Sequence, residues 1–288
     1  MLQPVTVDRL SALFENFRVR AHLIHAGALC GLTRFPVEPG RAFLHVLRRG
    51  SLQVTHAPRS GAPRRLHLTE PTLLLYPRPL AHEFRNAPEA DNDFTCASLY
   101  FDGGAANPLV RALPPLLALR IEAVEGIAPT LGLLYAETER VRCGQRLLAD
   151  RLFEVLLLQV LRWLIDHPPS GGDRIGLMAG LAHSRLARAL TAMHERPGRA
   201  WSLSTLAACA GMSRSAFASE FRRVLGTTPG DYLLGWRVSL AQTRLRAGGS
   251  LKLISADLGY ASPAAFSRAF TQAVGRSPRA WLRLGVLD

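Results

Sequence analysis

Gly211-Met212-Ser213-Arg214-Ser215-Ala216-Phe217-Ala218-Ser219-Glu220-Phe221 and Ala261-Ser262-Pro263-Ala264-Ala265-Phe266-Ser267-Arg268-Ala269-Phe270 are two copies of one pattern. Ser213, Phe217, Phe221, Gly226, Pro229 and Leu233 return 49 positions later as Ser262, Phe266, Phe270, Gly275, Pro278 and Leu282, and Tyr232 returns as Trp281. Agreement at so many caps, core positions and stops is an internal duplication spanning Leu203 to Leu282. Each serine is placed as an N-cap, its oxygen accepting a free N–H of the first helical turn. Pro263 follows at the first helical position, where a missing N–H costs nothing. The phenylalanines are i,i+4 pairs on one face and belong to a core. The opposite face carries Arg, Ser, Thr and Gln. In each copy an apolar helix precedes the serine across a short Gly-containing turn, Gly211-Met212 or Gly259-Tyr260-Ala261, which is the form of a helix-turn-helix.

Charge supports that reading. The chain has 288 residues, enough for two domains, and a formal net charge of +13. From Leu177 onward fourteen Arg and Lys252 face five acids, so most of the excess sits with the duplication. A basic domain of this kind expects a polyanionic partner. Between the repeats, Asp231 to Ala247 reads as one long helix, a strut of ~25 Å that would hold two units on one face of DNA.

Upstream the character changes. Val7, Leu10, Leu13, Phe14 and Phe17 have helical spacing. From Ala21 to Phe101, short runs such as Phe43-Leu47, Leu52-Thr55 and Leu73-Tyr76 alternate with Pro/Gly clusters, which predicts an all-β barrel or sandwich. Asn107 to Ala123 reads as a loop, followed by helices over 128–142 and 145–165. The second of these is apolar around most of its circumference, so burial on the barrel and burial against a second subunit are both open. Its acids and arginines argue against a membrane span, and the N-terminus lacks the pattern of a signal peptide. Four widely spaced cysteines read as thiols of a reducing compartment, so the expected location is the bacterial cytoplasm, over nucleoid DNA. His167 to Asp173, rich in Pro and Gly, is the expected linker, and a helix is predicted from about Leu181 to Glu195.

Gly40-x4-His45-x4-Gly50, followed by Pro77-x-Pro79-x2-His82-x3-Asn86, resembles the two motifs of the cupin superfamily. Pro79 stands in place of the family's Gly, and of the His-x-His pair and Glu of the first motif only His45 remains, with Leu47 beside it. A metal-dependent cupin enzyme with an appended DNA-binding domain is therefore the alternative that the sequence disfavours, since a catalytic metal needs about three protein ligands. The C-terminal third resembles the DNA-binding domain of the AraC/XylS regulators, on Gly211 to Phe221, Gly226-x2-Pro229, Trp236-Arg237 and Gly259 to Pro278.

Together these imply an α+β chain. A cupin-like β-barrel with flanking helices is expected over 1–170, a linker over 171–180, and an all-α pair of helix-turn-helix units joined by a long helix over 181–288. By the AraC resemblance, Ser215, Ala218 and Ser219 of the first recognition helix and Ala264, Ser267 and Arg268 of the second face the bases. Arg268 is the sharpest expectation, because a guanidinium pairs bidentately with guanine O6 and N7. Arg214, Arg222, Arg223, Thr271 and Gln272 are placed for phosphates. Double-stranded promoter DNA is the expected partner, with RNA polymerase a further one and a homodimer the expected assembly. A non-specific architectural DNA binder is the remaining alternative.

For the barrel, Cys30, His45, His82 and Cys96 fall on expected strands or beside them. Two thiols and two imidazoles suit tetrahedral zinc. The same cysteines could pair on oxidation, as the resemblance to oxidant-responsive cupin-sensor regulators implies, or be small buried hydrophobes. A small-molecule effector in the barrel mouth is compatible with each. Cys143 and Cys209 are expected in helical core.

Overall fold

The computed structural model describes residues 7–29, 31–86, 92–168 and 175–284. Two compact units emerge: one comprises 19–105 and 113–164, the other 1–18, 106–112 and 165–288. The expected linker falls partly on 169–174, outside the described residues.

The chain begins with helix α1 (Ser11–Asn16), then runs through strands β1 (Val19–Gly27), β2 (Gly31–Phe35), β3 (Arg41–Arg49), β4 (Leu52–His56), β5 (Arg65–Leu68), β6 (Thr72–Tyr76), β7 (His82–Asn86) and β8 (Asp93–Phe101). The expected loop over 107–123 instead contains helix α2 (Pro108–Ala112) and strand β9 (Leu117–Arg120). Asn107 explains the short helix, its side-chain oxygen accepting from the N–H groups of Leu109 and Val110. The strands form two antiparallel sheets rather than a closed barrel, in the orders β1-β8-β3-β6-β9 and β2-β7-β4-β5. Their shared core is Phe43, Leu47, Leu52, Val54, Leu74, Tyr76, Phe84, Phe94 and Cys96.

Helices α3 (Ala128–Thr138) and α4 (Gln145–Asp166) complete this unit. The acids that interrupt the apolar run of α4 have a structural use. Asp150 accepts from the backbone N–H of Leu23 at 2.6 Å, and Glu154 from that of Ala21 at 3.3 Å. Strand β1 is the edge of its sheet, and those carboxylates satisfy N–H groups that would otherwise be open to another strand. Leu147, Leu148 and Val155 of α4 remain exposed.

The other unit is helical: α5 (Leu177–Ala182), α6 (Leu186–Glu195), α7 (Leu203–Ala210), α8 (Arg214–Leu225), α9 (Pro229–Arg246), α10 (Leu251–Asp257), α11 (Pro263–Val274) and α12 (Pro278–Leu284). The single helix expected over 181–195 is two, because the His183 ring breaks it: Nδ1 accepts from the backbone N–H of Arg185 and Leu186 at 3.3 and 3.2 Å and caps α6. Ser202 and Thr205 form a reciprocal capping box on α7. Within this unit Trp236 of α9 is held between Phe17, ring centroids 5.2 Å apart, and His194, stacked at 4.0 Å.

The loop between α6 and α7, just ahead of the first repeat, meets the second repeat at a backbone crossing. A Cβ added at Gly198 would overlap the Asp257 carbonyl, and one added at Gly259 would overlap the Gly198 carbonyl; Gly259 also has φ +80°. Arg237 of α9 clasps the same place. Its guanidinium donates to the carbonyls of Pro197 (2.7 Å) and Arg199 (3.0 Å) and lies over the Tyr260 ring.

Candidate nucleic-acid interface and buried histidine cluster

The recognition helices α8 and α11 are built alike. Ser213 accepts from the Ala216 N–H at 3.3 Å and Ser262 from that of Ala265 at 3.1 Å. Left-handed Gly226 and Gly275 end them. Phe217, Phe221, Phe266 and Phe270 are fully buried. With those faces committed to the core, the opposite faces are bare: Arg214, Ser215, Ser219, Arg222, Arg223, Ala264, Arg268, Thr271 and Gln272 are exposed, while Ala218 and Ser267 are half-buried. These are the faces expected to meet DNA, and each carries side chains able to reach it.

The arginines differ in availability. Arg223 donates to Glu220 from Nε at 2.9 Å and from its terminal nitrogen at 2.6 Å. His183 reaches the same carboxylate at 3.1 Å. Because His183 Nδ1 is already an acceptor, Nε2 carries the proton and donates to Glu220. The Arg223 hydrogen bond above all holds the Glu220 carboxyl down at about 2. Arg214, Arg222 and Arg268 have no ion pair among the described residues. Sequence spacing could place Arg223 on the helix surface but not show that it has a partner there.

In the two-sheet unit the structure brings His45 and His82 together and adds His56, which the motif comparison missed. His82 Nδ1 lies 2.8 Å from the Leu80 carbonyl, an acceptor only, so Nδ1 holds the proton. In the neutral ring Nε2 then accepts, and the 2.9 Å contact is His45 Nε2–H donating to His82 Nε2. His45 Nδ1 is left buried without a partner. By the same logic His56 donates from Nδ1 to the Pro63 carbonyl at 2.6 Å and accepts from the Tyr76 hydroxyl at 2.9 Å. His82 stacks between Phe35 and Tyr76, centroids 4.7 and 4.0 Å away. His45 and Tyr76 belong to the five-stranded sheet, His56 and His82 to the four-stranded one, so both hydrogen bonds join the sheets. Burial pushes the three imidazoles down: His45 well below its ordinary value, His82 to about 4, and His56 in the same direction. The available signal for His56 was its alternation with Val54 and Leu52 on one strand face.

Of the zinc set expected from sequence, His45, His82 and Cys96 lie among the described residues. Cys96 pairs with His45 in register and faces the core, where burial pushes its thiol up to about 12. His45 and His82 spend their facing nitrogens on each other. Cys30 lies outside the described residues, and no group of three or more His, Cys, Asp or Glu able to hold an ion occurs within them. Cys143 is exposed and Cys209 half-buried, a correction to their expected place in the core. No helix among the described residues is long and apolar enough to cross a membrane.

Comparison with known proteins agrees with both units. A family model described as "Cupin" matches residues 8–166, more than half of the chain, and a helix-turn-helix domain model matches 206–284. An AraC-like transcription regulator of Streptomyces lividans is 28% identical over 301 aligned residues, covering 94% of this chain and 97% of that one. One from Streptomyces antibioticus is 33% identical, covering 59% and 56%. The regulator AlkR of Acinetobacter baylyi is 32% identical, covering 65% and 61%. With a cupin domain ahead of a duplicated, basic helix-turn-helix domain, the chain belongs to the AraC/XylS family of DNA-binding transcriptional regulators.

Proposed function

We propose that the protein is a sequence-specific regulator that reads promoter DNA with α8 and α11 and takes its signal through the cupin unit. The observation that carries the DNA half is the matched pair of capped helices, each with its Phe face buried and its polar face open. Arg268, Ser267 and Ala264 would meet base edges from α11, and Ser215, Ala218 and Ser219 from α8. Arg268 would be the principal reader, because its guanidinium is exposed and carries no ion pair among the described residues. Arg214, Arg222, Thr271 and Gln272 would hold phosphates, with Arg223 joining them once released by Glu220. The small side chains of α8 leave its half-site to be read by shape and apolar contact. RNA polymerase is the further partner of a regulator bound at a promoter, and the cytoplasm is the proposed location.

The exposed Leu147, Leu148 and Val155 on α4 support assembly as a homodimer through this helix. For the signal, a small molecule, a metal such as zinc, or an oxidant acting on Cys30 and Cys96 are the candidate classes. Elemental analysis of chelator-free protein and thiol titration before and after oxidant treatment separate them.

The test of the DNA half is selection of a site from random duplexes, followed by competition at fixed salt. A sequence-specific regulator discriminates by about 10³-fold or more. Equal affinity for selected and random DNA would instead identify an architectural binder.

A further inference from the structure

The four-stranded sheet turns one face to the core and the other to solvent, and the solvent face is basic. Register puts Leu32, Arg85, Gln53 and His67 side by side in one row. Arg34, Glu83, Thr55 and Arg65 form the next. Glu83 is the only acid in these rows, and Arg34 occupies it, donating from Nε at 2.9 Å. Arg65 and Arg85 are exposed, and neither has an ion pair among the described residues. The turn between β4 and β5 adds Arg59 and Arg64 in the same condition. From Pro39 to Thr69 the chain holds six arginines and no acid, so no neighbour in sequence offsets this charge. From this arrangement we propose that the outer face of the four-stranded sheet, with its β4–β5 turn, is a second DNA-contact surface that holds the phosphate backbone.

The turn presents its cations on an ordered support. Arg59 has φ +62° and is the only non-glycine residue in the left-handed region among the described residues. An L side chain is strained there, and glycine or asparagine is the usual occupant. This turn nonetheless carries an arginine at that position. It is fixed at two points. The Pro63 carbonyl accepts from His56 Nδ1 at 2.6 Å, and Gly61 lies so close to Pro115 that a Cβ would sit 2.9 Å from that ring. Neighbouring strands lie ~4.8 Å apart, so Arg85 on β7 and Arg65 on β5 are ~10 Å apart across the sheet and can meet separate phosphates.

The make-up of the face selects the partner. Every fixed cation on it is an arginine, whose fork pairs bidentately with phosphate. Protein interfaces are anchored by buried aromatic or aliphatic side chains, and a membrane surface takes apolar insertion. Here the one large apolar side chain is Leu32, 41% exposed on the edge strand β2. A polyanion without an apolar component fits, and duplex DNA is that polyanion on the strength of the proposed reading of α8 and α11.

The test is titration of the full-length protein with a duplex carrying the selected site and with a random duplex of equal length, at several salt concentrations. Arg59→Gln/Arg65→Gln/Arg85→Gln should reduce the slope of log affinity against log salt by about three on both duplexes, with their affinity ratio and Tm unchanged. The corresponding triple Lys variant should keep the wild-type slope. Glu83→Gln, which frees Arg34, should steepen it by about one. A benzoylphenylalanine photoprobe in place of His67 should crosslink to DNA. A wild-type slope in the triple Gln variant, or a photoprobe that crosslinks only to protein, overturns the proposal. Wild-type protein that prefers no duplex, yet whose slope still falls by about three in the triple Gln variant, sinks the reading of α8 and α11 alone. A protein that binds neither duplex overturns both.

Discussion

His45 Nε2 and His82 Nε2 lie 2.9 Å apart across the two sheets, one donating and the other accepting, with Phe35 and Tyr76 closing over the accepting ring. This bond requires the accepting ring of His82 to be neutral. Burial holds His82 down to about 4, against an ordinary value near 6.5. The unfolded chain therefore binds more protons than the native one below about pH 6.5. The stabilisation is complete above that pH and is lost as pH falls toward 4. Its size for His82 is on the order of 3 kcal/mol. Near-ultraviolet circular dichroism of the cupin unit should report a falling denaturation midpoint across this window. A midpoint flat from pH 7 to 4.5 would contradict the assigned protonation.

Arg268→Ala should relax discrimination at one base pair by about 1–3 kcal/mol while leaving other positions of the site unchanged. Arg222→Ala should instead weaken all sequences alike and reduce the salt slope by about one. Binding to a panel of single-base operator variants at several salt concentrations distinguishes them. A uniform loss for Arg268→Ala would move that residue to the phosphate group.

Glu220 holds the Arg223 guanidinium through two hydrogen bonds, which on the proposed reading withholds it from DNA. Glu220→Gln should therefore raise affinity for random duplex and steepen its salt dependence by about one, as a further cation becomes available. Arg223→Ala in the native background should cost less than Arg222→Ala. The reverse ranking would show that the Glu220 pairing gives way on binding.

Ser262→Ala should destabilise the second helix-turn-helix by about 1 kcal/mol, since the cap oxygen alone is lost. Phe266→Ala, at a fully buried ring, should cost about 3–5 kcal/mol. Urea denaturation followed by Trp281 fluorescence would measure both, because that ring packs 6.0 Å from Phe270 in the same unit.

Legibility in the sequence was uneven for physical reasons. Caps, Phe pairs and glycine stops act locally, so the helix-turn-helix units could be read from spacing alone. His183 escaped because an imidazole acting as an N-cap has no common pattern, and its partner Glu220 is 37 positions away. His56 escaped because a third imidazole matters only once β4 and β7 set His56 opposite His82. The acids of α4 looked like breaks in an apolar run; their service to the open edge of β1 depends on contacts more than 120 residues apart in the chain. Cys143 and Cys209 were placed in core by their helical neighbourhood, but the exposed turn before α4 and the outer side of α7 hold them instead.

The glycine crossing at Gly198 and Gly259 has a consequence for how such a protein can change. Even a methyl group at either position would run into a backbone carbonyl, so the chain on one side or the other would have to shift. On the proposed reading, a change of DNA preference would come through the exposed side chains of α8 and α11, with the crossing left as it is.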